Sequence, residues 1–95
     1  MNEVINNLFA TIEDRKANPK PDSYTNHLLD AGQEEILKKV GEESIEVILA
    51  AAYQSDERLI SELADLTYHT LVLLAARNLS PADIAAELEN RFVGK

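Results

Sequence analysis

The apolar residues of the chain recur at intervals of three and four, which places them on one side of a helix. The first set of such residues, between Val4 and Ile12, forms one apolar stripe and predicts a helix that Asn2 caps and that runs to about residue 17. The run Asn18-Pro19-Lys20-Pro21-Asp22 then breaks the helix and is predicted to be a loop. The residues of this stripe are Val4, Ile5, Leu8, Phe9 and Ile12.

A short helical turn is predicted next, from Ser23, a suitable cap, to Gly32, a suitable stop. A long helix should follow over residues 33–53, and its apolar residues cover most of its circumference, which predicts burial by more than one neighbour. Gly41 lies inside this helix at a cost of about 1 kcal/mol relative to alanine. We interpret Gly41 as a point of close approach by another helix or by a ligand. The apolar residues are Ile36, Leu37, Val40, Ile45, Val47, Ile48 and Leu49.

Ser55 or Asp56 can cap a third long helix over about 57–77, and the short connection before it predicts an antiparallel hairpin. This helix is apolar on nearly every side. It should therefore be the central helix, and its surplus apolar surface favours a dimer.

A last helix should begin at Ser80-Pro81-Ala82-Asp83 and run to about Phe92, with Ile84, Leu88 and Phe92 facing inward. Gly94 and Lys95 should fray. The predicted fold is a single all-α domain over residues 1–95. It is an antiparallel bundle of four main helices with a short helical turn, completed by dimerisation.

Composition narrows the class of protein. A chain of 95 residues forms one small domain with a marginal core. Nine basic and seventeen acidic residues give a net charge of −8, which argues against nucleic acid and anionic lipid as partners. The absence of cysteine excludes disulfides and thiolate chemistry and fits a cytoplasmic protein. No stretch resembles a signal peptide, and the longest apolar runs, such as 71–76, are too short to cross a membrane.

Two acidic groups lie on the two long helices. With Glu42 at zero on a helical wheel, Glu46 falls at about 40° and Glu43 at about 100°, so the three share a face. Glu62 and Asp65 are one turn apart on the next helix. Both groups should therefore present several carboxylates on one side of their helix.

The predicted hairpin brings these groups to the same level. Glu46 lies nine residues before Ser55, and Asp65 lies nine residues after Asp56. At the rise of an α-helix, both are roughly 13 Å from the turn. The two acidic faces are therefore expected to meet across the hairpin.

A plain solvated surface is the alternative, since Lys38 precedes Glu42 by four and Lys39 precedes Glu43 by four. Lysine before glutamate is the weaker orientation for such pairs. Each acidic stripe also continues into apolar or aromatic residues, as in the wall of a pocket. These residues are Leu49, Ala50 and Tyr53 on one helix and His69, Leu73 and Ala76 on the other.

Converging carboxylates repel one another unless cations lie among them. A set of oxygen ligands suits Mg²⁺ or Mn²⁺ and disfavours zinc. A di-iron site would need Glu-x-x-His pairs, whereas Glu43-x-x-Glu46 contains no histidine and His69 follows Asp65 by four. We therefore favour hydrolysis of a phosphate compound, in which Mg²⁺ contacts phosphate oxygens and activates water.

Three further polar residues have simple interpretations. Arg15 and Lys16 lie in the last turn of the first helix, where cations interact favourably with the helix dipole. Phosphate binding is the functional alternative for both residues. His27 is expected to be an exposed surface histidine.

The motif pair Glu42-Glu43-x-x-Glu46 and Glu62-x-x-Asp65 resembles the all-α nucleoside triphosphate pyrophosphohydrolase superfamily, the MazG-like group. Within it, the chain is similar to the phosphoribosyl-ATP pyrophosphohydrolase family. The run Lys38-Lys39-Val40-Gly41-Glu42-Glu43 is the most specific part. The resembling segments cover most of the chain and are residues 8–16, 23–25, 36–43, 46–47, 64–69 and 71–74.

The resemblance implies the second step of histidine biosynthesis, in which phosphoribosyl-ATP and water give phosphoribosyl-AMP and pyrophosphate. It implies Mg²⁺, with Mn²⁺ as a substitute, in a cytoplasmic homodimer. The metal would be held mainly by Glu43, Glu46, Glu62 and Asp65. Glu42 would be a further ligand or would support one, and these five carboxylates would form the catalytic set.

The resemblance also implies substrate contacts. Lys38, Lys39 and Arg15 would neutralise phosphates. Tyr24, with Ser23 or Thr25, would contact the base or ribose. His69 is either a residue that supports the site or a buried histidine with its hydrogen bonds satisfied.

Some relatives are fused to a cyclohydrolase that needs cysteines, so this chain is expected to lack that second activity. Two other functions stay open. One is a related helical enzyme acting on deoxynucleoside triphosphates, and the other is a non-catalytic helical dimerisation module.

Overall fold

Helices and their connections make up the computed structural model, which describes residues 2–94, with side chains from residue 3 onward. No strand is present over that range, so the predicted all-α fold is confirmed. The predicted cap depends on the Asn2 side chain, which lies outside the described part. The predicted fraying of Lys95 concerns a residue that is also outside it. The helices are α1 (Asn2–Ala17), α2 (Tyr24–Ala31), α3 (Gln33–Tyr53), α4 (Asp56–Ala76) and α5 (Pro81–Leu88), followed by a π-helical turn (Glu89–Val93).

Short-range signals set the helix boundaries. The Oγ atom of Ser23 accepts a hydrogen bond from the Asn26 backbone N–H at 3.2 Å and caps α2. Ser55 caps α4 in the same way by accepting from the Arg58 N–H at 3.2 Å. Gly32 separates α2 from α3 with φ of 97°, a conformation that disfavours L side chains. These caps and this stop are the predicted ones.

The core lies around the C-terminal half of α4, which packs against α1, α2 and α3. The prediction that α4 is the central helix is therefore confirmed. α1 and α2 cover only this half, so the rest of the α3–α4 hairpin is covered on fewer sides. The buried apolar residues of the core are Ile12, Leu28, Ile36, Leu71, Val72, Leu74 and Ala75.

α4, with 21 residues, is also long and apolar enough to cross a membrane by length and composition alone. The buried core residues in the C-terminal half of α4 account for part of this composition. Its acidic residues include Glu62 and Asp65, one turn apart.

The outer face of α3 is exposed, and the prediction that several neighbours bury this helix is wrong for the single chain. Only Ile36 and Ala50 of α3 are buried, whereas Ile45 is 59% and Ile48 64% exposed. The physical reason is that α1 packs on α4, leaving the far side of α3 uncovered. Gly41 lies on this exposed side and a Cβ there would meet nothing within 4 Å, so no close approach occurs within the chain.

The prediction that α5 turns its apolar residues inward is also wrong. Ile84 is 42%, Leu88 50% and Phe92 73% exposed. α5 does not pack tightly against α1 and α4. A cavity of about 700 Å³ lies between these helices, and Ile84 and Leu88 help to line it. The apolar pattern of α5 therefore reflects a groove and an open surface, and the α-helix itself ends at Leu88 before the π-helical turn.

Candidate active site

The α3–α4 hairpin brings the two acidic groups together. One carboxylate oxygen from each of Glu43, Glu62 and Asp65 lies within 4.8 Å of the other two. Glu43 comes from α3 and the other two from α4, one turn apart. The expectation that the acidic faces meet across the hairpin is confirmed for these three residues, which we call the carboxylate cluster.

Burial and like charge act together on Glu62. Its side chain is only 8% exposed. Burial raises the pKa of Glu62, and the charges of Glu43, Asp65 and Glu46 raise it further, while Arg58 opposes them. The Arg58 guanidinium lies 3.3 Å from the Glu62 carboxylate, four residues before it on α4. The cluster thus concentrates negative charge around a buried carboxyl group.

Two of the five predicted carboxylates lie outside the cluster. Glu46 is exposed, although its charge still contributes to the raised pKa of Glu62. Glu42 is exposed and pairs with Lys39 at 3.7 Å. From the sequence spacing, Lys38 is the expected partner of Glu42. In the structure Glu42 pairs with Lys39, three residues before it. The solvated-surface alternative therefore describes Glu42 but not Glu62.

The cluster fits a divalent cation such as Mg²⁺ or Mn²⁺, because it consists of oxygen donors whose mutual repulsion a cation would relieve. His69 is no ligand, since both of its ring nitrogens are occupied. Nδ1 lies 2.7 Å from the Asp65 backbone oxygen, and Nε2 lies 3.3 Å from the Tyr24 hydroxyl. With no histidine among its ligands, this cluster does not resemble a di-iron site.

The predicted pocket wall is only partly formed. Ala50 and His69 are buried, and Leu73 and Ala76 are half-buried. The prediction is wrong for Leu49 and Tyr53, which are 39% and 83% exposed. Both lie in the last turns of α3, away from the hydrophobic core cluster of the described residues.

The first turn of α2 lies against α4 just beyond the carboxylate cluster. Thr25 and Tyr68 are joined by a hydrogen bond between their hydroxyls, beside the bond from Tyr24 to His69. Burial raises the pKa of Tyr68, against the opposing effect of the Thr25 hydrogen bond. Of the predicted contacts to base or ribose, Tyr24 alone is exposed, at 48%, while Ser23 and Thr25 use their hydroxyls within the fold.

The predicted phosphate-binding cations have different surroundings. Arg15 pairs with the adjacent Asp14 at 3.0 Å. Lys38 is exposed, and Lys39 is half-buried beside Glu42. Lys16 donates to the Ala75 backbone oxygen at 2.8 Å and so stabilises the C-terminus of α4, not only its own helix. His27 is exposed, as predicted.

Sequence reasoning missed Arg58 and Asn26. Arg58 had a usable signal, because an arginine four residues before a glutamate on a helix is a candidate ion pair. Asn26 is 5% exposed. It accepts from the Lys20 N–H and donates to the Arg15 backbone oxygen, both at 2.8 Å. It thereby ties the loop after α1 to α2, and no sequence pattern indicated this.

The fold and the site define an all-α protein whose central hairpin carries a carboxylate cluster suited to a divalent cation. The sequence profile described as phosphoribosyl-ATP pyrophosphohydrolase matches residues 5–92. The chain belongs to this family. The phosphoribosyl-ATP pyrophosphatase of Clostridium acetobutylicum is 51% identical over 90 residues, which are 95% of this chain and 82% of the relative. That of Listeria welshimeri is 52% identical over 88 residues, 93% of this chain and 84% of the relative.

Proposed function

We propose that this chain hydrolyses phosphoribosyl-ATP to phosphoribosyl-AMP and pyrophosphate, the second step of histidine biosynthesis. Family membership over residues 5–92 supports the substrate. The observation that carries the chemistry is the meeting of Glu43, Glu62 and Asp65 within 4.8 Å. We place this activity in the cytoplasm, which suits a chain without cysteine.

The residues proposed to hold Mg²⁺, or Mn²⁺, are Glu43, Glu62 and Asp65, with Glu46 reaching in from the next turn of α3. Glu42 supports the set from the edge, together with its partner Lys39. A bound ion would supply charge screening for phosphate oxygens and a more acidic water. The carboxylates would hold the ion and orient a water molecule, and Lys38, Lys39 and Arg15 would attract the phosphates of a polyanionic substrate to a chain of net charge −8.

We further propose a homodimer formed through one face of α3. On a helical wheel, an apolar stripe lies on the far side of α3 from Glu43. Its members are all exposed, and Gly41 at its centre leaves room for a second helix to approach. We call this the α3 stripe, and it consists of Leu37, Gly41, Ile45, Ile48 and Ala52.

The substrate is tested by measuring pyrophosphate release in the presence of Mg²⁺. Release from phosphoribosyl-ATP, but not from deoxynucleoside triphosphates, is expected. Comparable rates on deoxynucleoside triphosphates would favour the broader pyrophosphohydrolase activity. Absence of release from either would leave the dimerisation module as the function.

Mg²⁺ is expected to raise the melting temperature of the protein by about 11–22 °C when its concentration is about 100 times its dissociation constant. A ligand at that concentration stabilises the folded state by about 2.7 kcal/mol, and a domain of this size shifts by about 4–8 °C per kcal/mol. Thermal unfolding followed by circular dichroism measures the shift. NaCl of equal ionic strength is the control, since salt also screens the repulsion. An equal shift in NaCl would argue against a metal site.

Arg58→Gln is expected to tighten Mg²⁺ binding about two- to fivefold while lowering the stability of the metal-free protein. Arg58 offsets the charge of Glu62 and repels an incoming cation, and the effect is modest because the Arg58 side chain is exposed to solvent. Titration of Mg²⁺ followed by thermal unfolding measures both effects. The control is Arg91→Gln, which breaks the 2.7 Å i, i+4 pair with Glu87 on α5 and its π-helical turn. Weaker binding by Arg58→Gln would contradict the proposed competition.

A further inference from the structure

The environment of His69 determines its tautomer. His69 is buried, with 5% of the residue exposed. Its Nδ1 lies 2.7 Å from the Asp65 backbone oxygen, and a carbonyl oxygen only accepts, so Nδ1 carries the proton. In the neutral ring with this tautomer, Nε2 has a free electron pair that accepts from the Tyr24 hydroxyl at 3.3 Å. His69 links α4 to α2 through its two ring nitrogens.

A second hydrogen bond lies next to this one, between the hydroxyls of Thr25 and Tyr68. Two consecutive residues of α2 are thus bonded to two consecutive residues of α4. The His69 ring also meets both tyrosine rings edge-on, with centroid distances of 6.0 Å to Tyr24 and 5.1 Å to Tyr68. Together these contacts fix the first turn of α2 relative to α4.

The place on α4 where α2 is fixed adjoins the carboxylate cluster. Glu62, Asp65 and His69 follow at spacings of three and four and so share one face of α4. The contact to Tyr24 therefore lies one helical turn, about 5 Å, beyond Asp65. Tyr24 is 48% exposed as a residue although its hydroxyl is held, and exposed aromatic side chains are surfaces on which nucleobases stack.

We propose that His69 is a positioning residue that holds the Tyr24 ring one turn from the carboxylate cluster, where the ring stacks against the purine of the substrate. This inference rests on the proposed function, because it requires a substrate with a purine. His69 acts through Tyr24 and touches neither the reacting phosphates nor the metal. Its effect therefore falls on substrate binding, and the chemical step is unaffected.

Two substitutions at His69 separate the two hydrogen bonds. His69→Asn places an amide N–H near the position of Nδ1, keeping a donor to Asp65 but losing the acceptor for Tyr24. His69→Gln places an amide oxygen near Nε2 and keeps that acceptor. Tyr24→Phe removes the hydroxyl without disturbing the buried ring of His69.

Steady-state kinetics on phosphoribosyl-ATP is expected to show KM raised about five- to tenfold in His69→Asn and in Tyr24→Phe, the effect of losing one hydrogen bond. The kcat values and the Mg²⁺-induced shift in melting temperature should stay within about twofold of the wild type. His69→Gln should recover most of the KM. The double variant should be no worse than either single one, since both remove the same interaction.

Tyr53→Phe is the matched control, because Tyr53 is 83% exposed and its hydroxyl has no recorded partner among the described residues. Its KM should be unchanged. If His69→Asn does not fold, Tyr24→Phe and His69→Gln still decide the matter. Additive KM effects, or a fall in kcat with KM unchanged, would overturn the inference alone. Absence of turnover by the wild type would overturn the proposed function and this inference with it.

Discussion

Asp65→Asn is expected to lower pyrophosphate release by more than about 100-fold while the helices remain folded. Loss of a residue that only supports a metal ligand already costs about 10- to 100-fold, and Asp65 is proposed to be a ligand itself. Its side chain is exposed, so the substitution removes a charge and an oxygen donor without opening a cavity. Initial rates at saturating Mg²⁺, with circular dichroism of the variant, measure the effect.

The metal-free Asp65→Asn protein is expected to melt at a higher temperature than the wild type. One carboxylate fewer in the cluster reduces the repulsion on buried Glu62. A variant can therefore be more stable and inactive at once, which a general structural defect would not produce. Activity near the wild-type level would remove Asp65 from the proposed ligands.

Glu57→Gln is the matched control, since it neutralises an exposed carboxylate in the first turn of the same helix. It should retain wild-type activity. Glu46→Gln is the informative companion, because Glu46 lies outside the carboxylate cluster and only its charge is shown to act on Glu62. Loss of activity comparable to that of Asp65→Asn would support Glu46 as a ligand.

The residues that sequence placed correctly are those that depend on short-range rules. The bounds of α3 follow from helical periodicity and from Gly32, and the start of α4 follows from Ser55. The carboxylate cluster could also be predicted. A short connection forces α3 and α4 to run antiparallel, and the acidic residues of the two helices lie at equal distances from the turn, so they are side by side. No long-range information was needed for either result.

Other features depended on where helices distant in sequence pack. Tyr24 and His69 are 45 residues apart, and their contact exists only because α2 folds back onto α4. The apolar residues of α3 and α5 show a different limit. Burial against the same chain and burial against a second copy require the same apolar pattern, so Ile45 or Ile84 alone could not indicate which surface they face.

That ambiguity leads to the prediction with the second largest effect. Ile48→Glu is expected to convert the proposed dimer into a monomer. Burying an isoleucine contributes about 1.5–3 kcal/mol, and a two-fold interface loses each contact twice. At about 1.4 kcal/mol per factor of ten, the dimer dissociation constant rises more than about 100-fold, and the unpaired charge adds to this. Sedimentation equilibrium over a range of concentrations measures the change.

Thr11→Glu is the control, because Thr11 is exposed on α1, away from the α3 stripe, and the substitution adds the same charge. It should remain dimeric. Ile48 is already 64% exposed in the single chain, so its replacement should leave the monomer fold intact, and loss of the dimer would then report the interface itself. A wild-type protein that is monomeric at every concentration would rule out this interface. A dimer that survives Ile48→Glu would direct attention to the groove beneath α5, where Ile84 and Leu88 present the other exposed apolar surface.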